Sequence, residues 1–358
     1  MIDKLNIYLP ESASDLIKKD CFNFRILKAN DTPNVNDYIT RLLCGYHSAF
    51  QEELDQEINL IIDNITNELH FHNDRKLKEI ASNIVYTRFN DLKAKPHGNH
   101  ISYKPVRKTE SFFMDPNNDS IEDYDIEKIQ SGQQDPDSYF PNNFSRSNYL
   151  RGLILQFLNL SMAEREKYLF LEQYEELVDR CSRKKAINIK LKTEKVVRSI
   201  IPYKVEPGET GLYNYLVCAE RTKENTLIIS SYHLCDITFD KVLTAPKNMP
   251  PLTKEMIALL KKTLKNGPNH IYLGSQITRV QFTKDGCDLF KKIYTDRPHP
   301  MKKEKQEDGS SIYTFDCPQV QLFRYFRRFG PDAKILEPES LKEELIQFYK
   351  DSLKNYED

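Results

Sequence analysis

Three β-rich runs crowd one stretch of the chain: Val197 to Val205, Leu212 to Ala219 and Thr226 to Ile237. The turn-forming segments Pro207-Gly208-Glu209-Thr210-Gly211 and Lys223-Glu224-Asn225 divide them, which predicts a small antiparallel sheet or barrel. Tyr213, Tyr215, Ser230, Tyr232 and His233 bring hydroxyl and imidazole groups onto these strands, where alternation predicts that some share one concavity. Strict alternation also marks the start of the chain: Leu5, Ile7 and Leu9 fall on one face, Lys4, Asn6 and Tyr8 on the other. A helix then runs from Pro10 to about Phe22. Asn34 can cap a second, carrying Val35, Ile39, Leu42, Leu43 and Tyr46 at helical spacing. The short first strand has no partner nearby in the chain, so it is expected to pair with its own copy in a second subunit.

Helical periodicity continues through Leu54, Ile58, Ile61, Ile62, Ile65 and Leu69, then through Leu77, Ile80, Ile84 and Leu92. It returns at Leu150, Leu153, Ile154, Phe157 and Leu158, with a capping box at Ser161 and Glu164 and a third helix bearing Tyr174, Leu177, Val178 and Cys181. These helices are expected to cover a face of the barrel. Beyond Pro246 to Pro251 a helix with Met256, Leu259, Leu260 and Leu264 precedes a final unit read as strand 276–282, helix 285–294, strands 301–306 and 312–316 about Asp308-Gly309, helix 319–329 and strand 333–336. That β-α-β-β-α-β order is a ferredoxin-like split unit, and the fold class is α+β.

Composition changes this picture in few places. The chain of 358 residues is 39% apolar and carries 52 basic against 53 acidic groups, so any nucleic-acid surface must come from local segregation of charge. From Arg180 to Lys204 the basic residues Arg180, Arg183, Lys184, Lys185, Lys190, Lys192, Lys195, Arg198 and Lys204 face only Glu194. With Tyr203, Tyr213 and Tyr215 beside them they form either a phosphate-facing surface able to stack bases or a merely solvated face. Asp115 to Asp137 is strongly acidic and reads as a linker. Seven cysteines without a Cys-x-x-Cys pair predict reduced thiols. No apolar run approaches the ~20 residues a membrane span needs, so a cytoplasmic protein without a membrane partner is expected. His70 and His72 lack metal-ligand spacing, and Ser230-Ser231-Tyr232-His233 lacks the context of a nucleophile. With no phosphate-binding Gly motif either, the expectation is no metal, no cofactor and no catalysis.

The segment Arg198–Asp240 resembles a WYL domain, a small Sm-like barrel of bacterial regulators. The likeness rests on Pro202-Tyr203, on Asn214-Tyr215-Leu216, with Asn214 where the family has Trp, and on Tyr232-His233-Leu234-Cys235-Asp236-Ile237, with His233 and Asp236 where the family often has pocket arginines. Phe329-Gly330-Pro331-Asp332-Ala333 and Ile335 to Leu341 resemble the C-terminal extension that accompanies such domains, which implies dimerisation through it. Residues 3 to 50 resemble a ribbon-helix-helix module, which implies that Lys4, Asn6 and Tyr8 enter a DNA groove while amides near Asn34 to Asn36 hold a phosphate.

The expected organisation is 1–50 ribbon-helix-helix-like, 51–147 helical spacer and acidic linker, 148–245 helical lead-in and barrel, and 246–358 dimerisation extension. The whole resembles the WYL-domain accessory proteins of type VI-D CRISPR systems. That likeness implies a homodimer that binds single-stranded RNA and enhances an RNA-guided ribonuclease. The candidate binding residues are then Lys190, Lys192, Arg198, Tyr203, Lys204, Tyr213, Tyr215, Ser230, Tyr232 and His233. The alternative is a ligand-sensing repressor of duplex DNA.

Overall fold

The computed structural model describes residues 5–69, 74–91, 100–103, 146–194, 196–238, 246, 248–273 and 277–356. Lys4, His70, His72, Lys195 and the acidic stretch 115–137 lie outside them. The chain forms two compact units, Met1–Glu175 and Glu176–Asp358. Among the described residues no helix is long and apolar enough to cross a membrane.

In the first unit, strand β1 (Leu5–Tyr8) is followed by helices α1 (Glu11–Asn23) and α2 (Val35–Leu69). The alternation does what it predicts: Ile7 and Leu9 are fully buried while Asn6 and Tyr8 are exposed. The partner is not the expected one. β1 pairs antiparallel with β2 (His100–Tyr103) of the same chain, in the register Leu5↔Tyr103 to Tyr8↔His100. A strand satisfies its backbone groups with whatever edge the fold brings close, so β1 is not a lone strand and needs no second subunit for that edge.

Asn34 caps α2 as its sequence position predicts, its side-chain oxygen accepting the Asp37 N–H at 3.2 Å. Its own N–H donates to the Ile26 carbonyl at 2.9 Å, and the Asn36 carbonyl accepts the Thr40 hydroxyl at 2.9 Å. The helix start read as a phosphate site is therefore partly occupied by the chain itself. α2 runs on through residue 50 without a break, and α3 (Asp74–Asp91) follows.

Helices α4 (Arg146–Leu158) and α5 (Met162–Leu169) close this core, α5 opening on the predicted Ser161–Glu164 capping box. Arg165 of α5 clamps the fully buried Asp20 of α1 with two hydrogen bonds of 2.7 and 2.9 Å. The Tyr38 hydroxyl donates to the same carboxylate at 2.9 Å. Three donors on one buried carboxylate offset the cost of removing it from water. α5 meets α2 at Gly45, where a Cβ would lie 1.9 Å from the carbonyl oxygen of Tyr168.

In the second unit, which begins within α6 (Leu171–Arg183), the strands are β3 (Ile187–Leu191), β4 (Val197–Pro207), β5 (Asn214–Arg221), β6 (Leu227–His233) and β7 (Ile237–Thr238). Their order in the sheet is β6-β5-β4-β3-β7, all antiparallel. β3 and β7 add to the three predicted runs, and the third run is broken by a 3-10 turn at Leu234–Asp236. In a flat sheet β6 and β7 would be four spacings or ~19 Å apart. The turn between them spans at most ~14 Å fully extended, and less as a helical turn, so the sheet must roll until its edges approach.

Helix α7 (Lys254–Asn266), capped by Thr253, packs Leu260 against Val217 and Ile229 on the outside of the roll. Beyond it lie β8 (Ile277–Phe282), α8 (Lys284–Lys292), β9 (Pro300–Lys305), β10 (Ser311–Asp316), α9 (Gln319–Phe326), β11 (Ala333–Glu337) and α10 (Glu339–Lys354). The order β11-β8-β10-β9 is that of the predicted split unit, and Phe282, Phe290, Phe315, Phe326 and Phe329 fill its core. Helices and antiparallel sheets together make the α+β class read from the sequence.

Gly45→Ala tests the packing of α2 on α5, because propensity and sterics predict opposite signs. On an open helix face the change would stabilise by about 1 kcal/mol. Here it is expected to destabilise by about 1–3 kcal/mol, seen as a lower urea midpoint at unchanged slope by circular dichroism. An unchanged or raised midpoint would contradict the close approach.

Candidate functional site at the barrel

Strand register sorts the candidate residues onto two faces. Tyr232 and His233 are neighbours on β6 and therefore point to opposite sides. Tyr232 pairs with Leu216 and Ser230 with Cys218, while α7 packs on Val217 and Ile229 of the opposite face, so this side is the interior of the roll. His233 pairs with Tyr215 on the outside. Ser230 and Tyr232 thus share one side, and Tyr213, Tyr215 and His233 the other, so alternation brings some of the five together but not all of them into one concavity.

On the interior face the register Ile189↔Arg198 and Ile200↔Glu220 sets a basic and an acidic side chain at one end of the barrel core. Arg198 Nη1 donates to Glu220 at 2.6 Å and to the Tyr232 hydroxyl at 3.2 Å, and Nη2 donates to Glu194 at 2.6 Å. The second oxygen of Glu220 accepts from Ser230 at 2.6 Å and from Tyr232. Burial pushes the Glu220 carboxyl up, but the hydrogen bonds from Ser230, Tyr232 and Arg198 outweigh it and hold the group below its ordinary range. Burial, then the bond to Glu220, raises the Tyr232 phenol. Hydrogen bonding to Glu194 and Glu220 keeps Arg198 charged against its desolvation.

The outer face carries rings. Tyr213 stacks on His233 with centroids 4.5 Å apart and planes 9° from parallel, and Tyr215 meets the same imidazole edge-on at 4.7 Å. The turn after β4 holds this trio: Gly208 N–H donates to the Tyr213 carbonyl at 2.9 Å, and Gly211 takes a positive φ of 64°. A Cβ on Gly208 would come within 2.8 Å of the Tyr215 ring. His233 also lies 3.7 Å from the Asp236 carboxylate.

Other candidates are placed differently. Tyr203 is the extra residue of a β-bulge between Pro202 and Lys204, and packs in the apolar cluster with Leu260 and Met256 rather than beside the ring trio. Lys190 is half-buried on β3, with its carbonyl accepting from Thr238 at 3.1 Å. Lys192 is exposed on the following turn, where its N–H donates to the Asp236 carbonyl at 2.8 Å.

The basic run loses much of its excess in three dimensions. Arg180 pairs with Glu176 at 2.6 Å, Arg183 with Asp179 at 2.7 Å, Lys204 with Glu206, and Arg198 with Glu194 and Glu220. Three of these acids precede or follow the window by a few residues, and Glu220 arrives across the sheet. Glu220 is the residue that sequence reasoning missed. An acid at an inward position of a strand reading Leu216-Val217-Cys218-Ala219 was its one signal, because a buried charge requires a partner. Among the described residues no cluster of three or more His, Cys, Asp or Glu side chains is arranged to hold a metal ion.

Residues 278–349 match the model of the WCX domain. Over these residues the chain is similar to that domain. This domain coincides with the split β-α-β-β-α-β unit and most of α10. The fold also matches a solved structure described as "Crystal structure of a CRISPR Cas-related protein", at 21% identity and a TM-score of 0.66, over 99% of this chain and 94% of that one. A second match, "Proteasome accessory factor B/C (PafBC) of Arthrobacter aurescens", is at 12% identity and a TM-score of 0.26 over 61% of this chain and 33% of the other. No curated protein matches the chain. The WCX domain and the shared fold bear out the likeness to WYL-type proteins read from the sequence.

The Glu220 shift has a pH signature. Its folded pKa lies below the ordinary 4.5, so the ionised form adds stability above that value and loses it as pH falls through the folded value. Thermal midpoints of the wild type are expected to fall more steeply between about pH 5 and about pH 3 than those of Glu220→Gln. Parallel profiles would mean that the interior cluster does not stabilise the carboxylate.

Proposed function

We propose that this chain is a non-catalytic, homodimeric regulatory protein of a CRISPR system that binds single-stranded RNA at its Sm-like barrel and acts on an RNA-guided ribonuclease of the type VI-D class. The observation that carries the reading is the fold shared along nearly the whole chain with a CRISPR Cas-related protein. The rings of Tyr213, His233 and Tyr215 add support, since stacked aromatic side chains accept unpaired bases of any sequence.

Dimerisation has its support in the WCX domain rather than in β1. α10 buries Leu341 and Leu345 and leaves Ile346, Tyr349 and Leu353 exposed at spacings of three or four along an adjacent side, with the exposed Tyr356 just past its end. An apolar stripe of this kind suits a second copy of the same helix. Light scattering is expected to give about twice the 42.1 kDa chain mass. Ile346→Asp with Leu353→Asp should yield a folded monomer. A monomeric wild type would remove the homodimer from the reading.

The RNA claim is tested by competition. Single-stranded RNA is expected to displace duplex DNA of equal length. Tyr213→Ala should weaken RNA binding by about 1–3 kcal/mol with little change in thermal midpoint. Lys190→Ala with Lys192→Ala should flatten the dependence on salt, at roughly 0.7 in log K for each phosphate that is no longer neutralised. Because Arg180, Arg183, Arg198 and Lys204 have acidic partners, the wild-type slope should fall well short of the ~6 that nine free basic groups would give. Preference for one palindromic duplex, abolished by Asn6→Ala and Tyr8→Ala but not by Tyr213→Ala, would replace this reading with a DNA-binding repressor.

A further inference from the structure

Arg198 is held by two carboxylates of unequal standing. Glu220 has a side chain only 10% exposed and receives three donors, from Arg198, Ser230 and Tyr232, so it is a fixed part of the barrel interior. Glu194 sits on the turn between β3 and β4, is 39% exposed, and touches the guanidinium through one oxygen on Nη2. Its backbone N–H closes the turn on the Leu191 carbonyl at 3.0 Å and does not hold the side chain.

A guanidinium offers Nε and Nη2 as one side of its fork, matched to two oxygens of a carboxylate or phosphate. Glu194 fills half of that side. Arg198 Nε is buried and, among the described residues, has no hydrogen-bond partner. A buried donor left unmatched costs about 1–3 kcal/mol, and its presence next to a replaceable acceptor calls for an explanation.

We propose that Glu194 is a displaceable internal anion, which holds the Nη2 corner of Arg198 until a phosphate of single-stranded RNA takes the whole Nε–Nη2 side. The proposal rests on the RNA-binding reading above and adds its regulation. The exchange supplies a second oxygen to Nε, leaves Glu220 in place so that Arg198 stays aimed, and frees Glu194 into water, where its desolvation cost is small. It also sets a threshold: a ligand must offer a doubly accepting anion to compete, and a neutral base or sugar cannot.

The test compares variants by fluorescence anisotropy with a short labelled oligouridine. Glu194→Gln should bind about two- to fivefold tighter than wild type, the range of one exposed ion pair removed as competitor. Glu224→Gln, the same charge change on the exposed β5–β6 turn, should gain less than Glu194→Gln. In an Arg198→Lys background, which keeps a cation beside Glu220 but has no fork, the Glu194→Gln gain should disappear.

A gain that persists with Arg198→Lys, or that Glu224→Gln equals, would overturn the proposal by making the effect one of bulk charge. The second comparison stands even if Arg198→Lys fails to fold. If wild type binds no oligouridine, the RNA reading fails and inorganic phosphate then serves as the probe. Phosphate should raise the thermal midpoint of Glu194→Gln more than that of wild type. Equal shifts would overturn the exchange itself.

Discussion

The short connection Leu234–Asp236 constrains the barrel more than any single side chain. It joins the two opposite edges of a five-stranded order within one helical turn, and a sheet so tied has to roll. Rolling decides which side of every strand is interior. It puts Arg198, Glu220, Ser230 and Tyr232 inside and Tyr215 and His233 outside, so the polar residues of one strand serve two different environments. The outer side is covered in its middle by α7, which leaves the ring trio at one end beside the Gly208 turn.

The interior cluster and the Asp20–Arg165 pair solve the same problem in the two units. Each places a carboxylate where burial disfavours its charge, and each surrounds it with an arginine and hydroxyl donors. Removing one partner from such a group costs more than the pair contributes, because the remaining charge stays buried. The thiols follow the opposite course. Burial pushes Cys21 and Cys181 up to about 12, and Cys218 is raised by burial first and Glu220 second, so these sulfurs stay protonated and inert.

The region that matches the WCX model is the one in which local pattern and final structure agree most closely. Its strand and helix ends fall within a few residues of those predicted, since the central strands β8 and β10 alternate cleanly and the helices have their own start signals, Thr283 for α8 and Pro318 for α9. Aromatic side chains from β8, α8, β10 and α9 then meet edge to face in one core. α10, not read from the sequence, packs Leu341 and Leu345 onto that core and turns a second apolar stripe outward.

Taken alone, the sequence determined the elements and the faces that are apolar: the buried side of β1, the Asn34 cap, the Ser161–Glu164 box, the barrel strands β4 and β5, and the split unit at the end of the chain. These are local properties, set by periods of two and 3.6 residues and by side chains that bond their own neighbours. It also pointed to the likeness with WYL-type proteins through a handful of residues near Pro202, Tyr215 and Phe329. What only the tertiary structure decided is which distant groups meet. β2 completes β1 from far along the chain, Glu220 crosses the sheet to Arg198, and Tyr203 is turned by a bulge into an apolar cluster. None of these follows from periodicity, because pairing across a sheet depends on register and chain reversal. A one-residue shift in register would have exchanged the inside of the barrel for its outside.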